Sequence, residues 1–154
     1  MKYSSKLSGV LHVLLHMAEL NVPVTSATMA KIMRTNPVVI RQIMAGLREA
    51  GFVRSEKGHG GGWTIERELS SITLHDVYSA LGEPGLFAMG NRTEAPDCLV
   101  EQMVNATMDD AFRDAEALLL GRFASVTLSQ LSADFHTRMT ARGISLNLET
   151  NHEV

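Results

Sequence analysis

A glycine-rich segment at residues 51–67, GFVRSEKGHGGGWTIER, is the feature that most limits how this chain can fold. After Gly51 the apolar residues follow the two-residue period of a strand, which predicts strands at 52–56 and 63–65 joined by a glycine-rich loop. A phosphate-binding glycine loop needs a helix N-terminus directly after it, whereas a strand follows here. We therefore expect a β-hairpin whose glycines allow positive φ angles and close approach of the backbone to an external partner.

Three amphipathic helices are predicted before the hairpin, because apolar residues recur there with a period of about 3.6 residues. The first spans residues 5–20, and the second is short and capped by Thr25 or Ser26. The third has Asn36 as its N-cap and Pro37 at its first helical position. The inward stripe of the first helix comprises Leu7, Val10, Leu11, Leu14, Leu15 and Ala18. The buried face of the third comprises Ile40, Ile43, Met44 and Leu47.

The chain after the hairpin is predicted to be helical, with one long loop. Thr73 and Thr127 each begin a capping-box pattern at the start of a helix. Residues 82–97 carry three glycines and two prolines, which is typical of a loop. Apolar residues then repeat about every 3.5 residues over 104–118, a spacing that favours a helix packed along another long helix. This stripe comprises Val104, Met108, Ala111, Ala115 and Leu118.

The net charge of −3 hides two parts of opposite charge. Residues 1–67 hold nine lysines and arginines against four acidic residues, a net charge of +5, whereas residues 68–154 have a net charge of −8. The basic N-terminal part predicts a polyanionic partner. The sequence contains neither a run of about 18 apolar residues nor a signal-peptide pattern, so we expect a cytoplasmic protein with no membrane segment.

Three helices followed by a glycine-tipped hairpin predict a mainly α chain that begins with a winged helix-turn-helix. In that fold the third helix enters the major groove of double-stranded DNA, and the hairpin, called the wing, reaches the backbone or the minor groove. Arg41 and Gln42 have the chemistry to read base edges, and Val38 or Val39 can contact a thymine methyl group. Arg48, Arg54 and Lys57 are predicted phosphate contacts. The full predicted interface comprises Lys2, Asn36, Val38, Val39, Arg41, Gln42, Arg48, Arg54, Lys57, His59, Gly60 and Gly61.

The motifs TNPVVIR, REAGFV and KGHGGGW, with the SITLHDVYSAL helix after them, resemble the Rrf2 family of bacterial transcription regulators. The resemblance covers residues 1–81, and VTLSQL is similar to the family's last helix. It implies a homodimeric regulator, which we expect to be a repressor, on a palindromic operator whose half-sites are whole turns of about 10 to 10.5 bp apart. A long C-terminal helix would cross to the partner subunit. The predicted segments are the winged domain at 1–81, a loop at 82–97, a helical dimerisation region at 98–139 and a flexible tail at 140–154.

Cys98 is the single cysteine of the chain. Members of the resembled family that sense iron, nitric oxide or redox state carry three cysteines in this region, so the chain resembles the cysteine-poor branch. Because iron–sulfur ligation by cysteine needs several thiolates, we expect no cluster and no other cofactor. The effector would be a small molecule, a protein partner or the thiol itself. Asp97 disfavours a thiolate and the helix start favours one, and we expect a partly buried, small apolar side chain in preference to a redox switch.

The remaining chemically distinctive residues carry weaker predictions. His12 and His16 are four residues apart on the first helix, a spacing that can chelate a metal. No third ligand is near in the sequence, so we expect solvated or locally hydrogen-bonded side chains and no metal site. His59 is either a phosphate donor or a flexible surface residue. Trp63 and Tyr78 are predicted to be core residues that support the wing.

Two functional hypotheses stay open at this point. The sequence has no acid/base pair, nucleophile motif or nucleotide-binding motif, so an enzyme is not expected. One hypothesis is a sequence-specific DNA-binding regulator. The other is a winged-helix module that binds only proteins and is regulated by a protein partner or by Cys98. Salt distinguishes them, because DNA binding weakens steeply as the salt concentration rises.

Overall fold

A computed structural model describes residues 6–144, which form a mainly α structure with a two-stranded sheet. The elements in chain order are α1 (Lys6–Leu20), α2 (Ser26–Ile32), α3 (Pro37–Glu49), β1 (Val53–Glu56), β2 (Gly62–Ile65), a 3-10 turn (Leu69–Ser71), α4 (Leu74–Ala80), α5 (Leu99–Ala124) and α6 (Leu128–Arg142). Three helices, a hairpin and a long C-terminal helix follow one another as expected. The predicted winged helix-turn-helix is therefore confirmed.

The helices α2, α3, α4 and α6 each begin at a side chain that caps the backbone. The Thr25 hydroxyl accepts a hydrogen bond from the amide of Thr28 at 3.1 Å, so Thr25 is the cap of α2. The Asn36 side chain accepts from the amides of Val38 and Val39, both at 3.0 Å. Both predicted capping boxes, at the starts of α4 and α6, are formed. These bonds satisfy amides that helix geometry leaves without partners, which is why local sequence predicts the helix starts.

Strands β1 and β2 form the wing, and β2 makes backbone hydrogen bonds on both of its edges. The two strands are antiparallel, with Arg54 opposite Thr64. On the other side of β2, Val24 and Trp63 exchange two backbone hydrogen bonds of 3.0 and 2.9 Å. A Cβ atom added to Gly62 would lie 2.8 Å from the carbonyl group of Val24, so this approach requires glycine. The sequence pattern does not predict this pairing, which fastens the segment after α1 to the wing.

The glycines of the wing tip serve two different purposes. Gly58 and Gly60 have φ angles of +97° and +78°, as the hairpin prediction requires. Gly61 instead lies close to the chain's own backbone, since an added Cβ atom would collide with the carbonyl oxygen of Glu56. At Gly61 and Gly62 the close approach is made within the chain. The contact of Gly60 and Gly61 with an external partner stays a prediction.

The core lies between α1, α2, α3, α4 and the inner face of β1. All four predicted core residues of α3 are buried. The prediction for α1 is partly wrong, because Val13 and Met17 are buried while Leu15 and Ala18 are half-buried. α1 contacts α4, α6 and β2 together, and the spacing of apolar residues does not show which sides of a helix several neighbours cover.

The last helix returns to the winged domain. Leu128 is fully buried in the core, and its amide donates to the carbonyl oxygen of Ile72 at 2.8 Å. The predicted dimerisation region therefore includes a helix whose first residue belongs to the core. α6 continues to Arg142, three residues beyond the predicted end, and Gly143 caps it with a φ angle of +64°. Residues 145–154 of the predicted tail lie outside the described residues.

α5 is 26 residues long and has no buried residue. At a rise of about 1.5 Å per residue, it extends over roughly 39 Å. Near its C-terminal end the ring of Phe123 meets Tyr78 edge to face, with centroids 6.2 Å apart. Residues 82–97 before it contain no helix or strand, in agreement with the predicted loop. The large apolar residues that α5 exposes are Leu99, Val100, Met103, Val104 and Leu118.

Gly46 allows α3 to approach α4, so we expect Gly46→Ala to destabilise the protein although alanine favours helices. A Cβ atom at this position would lie 2.8 Å from the backbone oxygen of Ala80, which cannot swing away as a flexible side chain can. We expect the free energy of unfolding, measured by urea denaturation, to fall by about 1–3 kcal/mol.

The matched control is Gly121→Ala in α5, where an added Cβ atom has nothing within 4 Å. This substitution should raise the free energy of unfolding by about 0.5–1 kcal/mol through helix propensity alone. A similar gain at both positions would show that Gly46 has no packing role.

Candidate nucleic-acid interface

The face of α3 opposite the core carries the polar residues predicted to read bases. Arg41 and Gln42 are both exposed, and Val38 is 57% exposed. Arg48 is exposed nearer the C-terminal end of the helix. Because packing of the apolar face fixes the rotation of α3, these side chains project into solvent together. The structure thus places the two candidate base-reading residues on one accessible surface.

Val39 does not share this exposure, which corrects its predicted outward position. It is half-buried, packs against the core and lines a groove between α1 and the turn that joins α2 to α3. Val39 lies one turn before the buried Ile43, on the same side of α3, and this position explains its burial. Val38 remains the exposed apolar side chain at the start of the helix.

Asn36 is held in place by its capping role. Its side-chain oxygen is occupied by two backbone amides of α3. The amide nitrogen of the same side chain is a hydrogen-bond donor. A contact from Asn36 to DNA would therefore be a donated hydrogen bond to a phosphate or a base acceptor, with the helix start unchanged.

The tip of the wing combines a basic side chain with accessible backbone. Lys57, His59 and Gly60 are exposed, and Gly61 is half-buried. The positive φ angle of Gly60 turns the chain sharply at this point. The tip can therefore offer the charge of Lys57, the ring nitrogens of His59 and backbone groups to one partner.

Arg54 lies at the base of the wing and is already paired with two carboxylates. Its guanidinium group lies 3.1 Å from Glu56 and 3.2 Å from Glu66. The hydrogen bond to Glu56 and the negative charges of both carboxylates raise the pKa of Arg54 above its ordinary value. A phosphate would have to share the guanidinium group with these carboxylates or replace one of them, so the two ion pairs weaken the predicted phosphate contact.

A groove beside α3 contains basic residues to which sequence reasoning assigned no role. Lys6 of α1 and Arg34 and Thr35 of the turn before α3 line a space of about 590 Å³. Arg34 has a φ angle of +51°, in the left-handed region. Phosphate contacts commonly flank a recognition helix. Arg34 lies two residues before the cap Asn36, and this position in the sequence marks it as a candidate phosphate contact. Lys2 lies outside the described residues, so its predicted contact stays a prediction.

Cys98 occupies the N-cap position of α5 and is exposed, so the expectation of a partly buried side chain is wrong. The backbone amides of Glu101 and Val100 lower the pKa of the Cys98 thiol, although the thiol does not form a capping hydrogen bond of regular geometry. Amide dipoles at a helix start stabilise a thiolate, and here they outweigh the small opposing effect of burial.

His12 and His16 are hydrogen-bonded to each other, with their Nε2 atoms 2.9 Å apart. Of the two expectations for these histidines, solvated or locally hydrogen-bonded, the structure shows the second. Within residues 6–144, no three side chains of histidine, cysteine, aspartate or glutamate come together in a group that could hold a metal ion.

The two aromatic residues predicted to support the wing differ in burial. Tyr78 is 4% exposed, its hydroxyl donates to the carbonyl oxygen of Pro84 at 3.0 Å, and burial raises the pKa of its phenol. Trp63 is half-buried against the core, and its indole N–H donates to the hydroxyl of Ser26 at 3.0 Å. Trp63 thus connects the wing to the start of α2. No helix in the described part of the chain is long and apolar enough to span a membrane.

Comparison with known proteins identifies a family. The Rrf2 family model, described as an iron-dependent transcriptional regulator, matches residues 3–134. YwgB of Bacillus subtilis (strain 168), whose name assigns it to the HTH-type transcriptional regulators, is 34% identical over 92 residues, which are 58% of this chain and 59% of YwgB. YwnA of the same strain, named likewise, is 26% identical over 129 residues, 83% of this chain and 95% of YwnA. The chain therefore spans about three fifths of one relative and nearly all of the other.

Solved structures show the same fold. A protein from Lactobacillus plantarum described as a transcriptional regulator has a TM-score of 0.70 at 24% identity, over 90% of this chain and 95% of that one. IscR of T. potens has a TM-score of 0.62 at 19% identity, over 96% of this chain and 94% of that one. These identities are low and support the fold alone. Because the family model extends from the start of the winged domain into α6, the chain belongs to the Rrf2 family of transcription regulators.

Proposed function

We propose that this protein is a sequence-specific transcriptional repressor that binds a palindromic operator in the cytoplasm as a homodimer. The observation that carries the proposal is the joint exposure of Arg41 and Gln42 on α3, beside a wing whose tip carries Lys57. In a winged helix-turn-helix these two elements are the ones that face DNA. The net charge of +5 over residues 1–67 supports the same surface.

Within this proposal the exposed side chains have different tasks. Arg41 suits guanine, whose O6 and N7 atoms accept two hydrogen bonds, and Gln42 suits adenine. Val38 is exposed in the right place to contact a thymine methyl group. Arg48, Lys57 and the residues of the groove next to α3 would contact phosphates, which fix the register of the protein without reading sequence.

Homodimerisation is proposed for α5. Large apolar side chains on a helix that the chain itself does not cover are costly in water, and a second copy would cover them. The predicted stripe supports this role, since Val104 and Leu118 are 54% and 79% exposed. A two-fold axis between two such helices would place two copies of α3 on successive half-sites.

We further propose that the protein works without an iron–sulfur cluster, although the family description names iron. Cys98 is the single cysteine of the chain, and it has no group of potential metal ligands around it among the described residues. The donor set does not fit a cluster held by cysteine thiolates. The effector would be a small molecule, a protein partner or a modification of Cys98.

Arg41→Ala and Lys57→Ala should weaken DNA binding in different ways. We expect Arg41→Ala to relax base preference at one operator position at a cost of about 1–3 kcal/mol, because a base contact is lost. Lys57→Ala should weaken binding to all sequences about equally and make it less dependent on salt. The measurement is binding to an operator selected from random DNA, at several salt concentrations. Wild-type affinity in both variants would show that the DNA-binding face lies elsewhere.

Leu118→Glu should convert the protein to a monomer, because it places a charge in the exposed apolar stripe of α5. Binding to the full palindrome should fall with dimerisation. The matched control is Ala117→Glu, which adds the same charge on the polar side of the helix, near Asp110, Arg113 and Asp114. Sedimentation analysis gives the oligomeric state. A dimer that tolerates Leu118→Glu as well as Ala117→Glu would place the subunit contact on another surface.

The Cys98 thiol should ionise at a lower pH in the folded protein than in the unfolded chain, because the amides at the start of α5 stabilise the thiolate. The rate of alkylation by iodoacetamide follows the thiolate concentration, so its pH profile should be displaced to lower pH. The same chain in concentrated urea provides the reference. Identical profiles in the two states would mean that the amides do not act on the thiol.

A further inference from the structure

A cleft of about 340 Å³ lies at the base of the wing. We call it the wing-base cleft and define it by Met17 and Asn21 at the end of α1, Pro23 in the following segment, and Arg54, Glu56 and Thr64 on the wing. Its volume falls at the lower end of the range of about 300–1,000 Å³ that is typical of small-molecule sites. It is therefore large enough for a small organic molecule.

Part of the lining of the wing-base cleft is apolar. Met17, Ile65 and Leu69 form it together with Val22, which is 47% exposed. Met17 is a core residue, whereas Val22 stands at the margin of the cleft. An apolar group bound here would cover surface that is now in contact with water.

Arg54 and Glu56 line the cleft, and Glu66, which is paired with Arg54, lies beside the cleft and not in its lining. The guanidinium group of Arg54 is shared between the carboxylates of Glu56 and Glu66 at 3.1 and 3.2 Å. One positive and two negative groups leave a net charge of −1. Both carboxylates are partly exposed, so an additional cation could reach them from solvent.

Thr64 adds a polar group without a partner. Its hydroxyl oxygen is buried and has no hydrogen-bond partner within the described residues. Such a group costs free energy until it is paired, because it loses its water without gaining a protein contact. Arg54 lies directly opposite Thr64 in the wing, so the two side chains are cross-strand neighbours on one face of the hairpin.

We propose that the wing-base cleft binds a small organic monocation with an apolar body, such as a primary amine, and that its binding strengthens the hold of the wing on DNA. The ammonium group contacts Glu56, the apolar body covers Met17 and Ile65, and the hydroxyl of Thr64 gains a partner. The effect on DNA rests on the function proposed above. The binding of an amine in the cleft does not depend on that proposed function.

Two contacts connect the cleft to the DNA-binding surface. A cation at Glu56 competes with Arg54 for that carboxylate and leaves the guanidinium group available for a phosphate. It also brings the charge of the Arg54, Glu56 and Glu66 group to zero, which lowers its repulsion of DNA. The backbone pairing of Val24 with Trp63 ties the segment beside the cleft to the wing, so an occupant touches two connected elements.

The binding test uses the full chain without DNA and three probes that share a phenyl group and differ in charge. These are phenethylamine, phenethyl alcohol and phenylacetate. We expect saturable changes in the backbone amide resonances of Asn21 and Thr64 with the amine in the millimolar range, and not with the alcohol or the acid. Equal responses to all three probes, or none to the amine, would overturn the proposal.

Three variants locate the site. Glu56→Gln should weaken amine binding several-fold, because it removes one carboxylate. Thr64→Val keeps the shape of the side chain and should also weaken binding, while its thermal stability stays equal or rises. Glu94→Gln, in the exposed loop before α5, removes a carboxylate far from the cleft in sequence and should bind the amine as the wild type does. Unchanged amine affinity in both Glu56→Gln and Thr64→Val would overturn the proposed site.

DNA binding is then measured separately, with and without phenethylamine. We expect operator affinity to rise with the amine in the wild type and in Glu94→Gln, but not in Glu56→Gln. A protein that binds the amine at the cleft and no DNA would overturn the proposed function and leave the site intact. Operator binding that is identical with and without bound amine would overturn the coupling.

Discussion

The burial of one face of α3 is the constraint on which the rest of the interface depends. Ile40, Ile43, Met44 and Leu47 are each at most 5% exposed, and burying one such side chain contributes about 1.5–3 kcal/mol. An exposed ion pair contributes only about 0–1 kcal/mol. Surface charges therefore cannot rotate this helix. Arg41 faces outward because the apolar residues beside it must face inward, and the proposed recognition surface is a consequence of core packing.

The wing depends on a backbone constraint of a different kind. Gly62 and Val24 lie so close that any side chain at position 62 would strike the Val24 carbonyl group. This contact places β2 between β1 and the segment after α1. A two-stranded hairpin alone is only marginally stable in water, whereas one held on both sides and by the indole of Trp63 keeps a defined direction. The turns made by Gly58 and Gly60, both with positive φ angles, lie at the tip.

Features that depend on neighbouring residues in the sequence could be predicted, and features that depend on distant ones could not. The caps at Thr25 and Asn36 need only the two or three residues that follow them, so their patterns predicted the helix starts. The ion pair between Arg54 and Glu66 could not be predicted, because the carboxylate lies 12 residues away in the sequence. The burial of Leu128 likewise depends on a core assembled from helices that end about 50 residues earlier.

Among the predicted interface residues, too, some positions follow from the local sequence and others depend on distant parts of the chain. The outward positions of Arg41 and Gln42 follow from helical spacing alone. The half-burial of Val39 requires knowledge of the groove between α1 and the turn before α3. The exposure of Cys98 depends on a helix start that no other element covers. Sequence reasoning thus predicted which residues of α3 are exposed together, while the partners of the individual side chains required the fold.

The attachment of α6 to α1 explains how a long exposed helix can have a fixed relation to the winged domain. Glu19 of α1 is 4% exposed in its side chain, and its two carboxylate oxygens contact Ser132 at 2.7 Å and His136 at 2.6 Å. A carboxylate buried with both oxygens paired resists displacement, because breaking either contact leaves it unsatisfied. Since α5 joins α6 directly and contacts Tyr78 through Phe123, its C-terminal end is anchored to the winged domain. Cys98 lies at the opposite end of α5, at the full length of the helix from this anchored end.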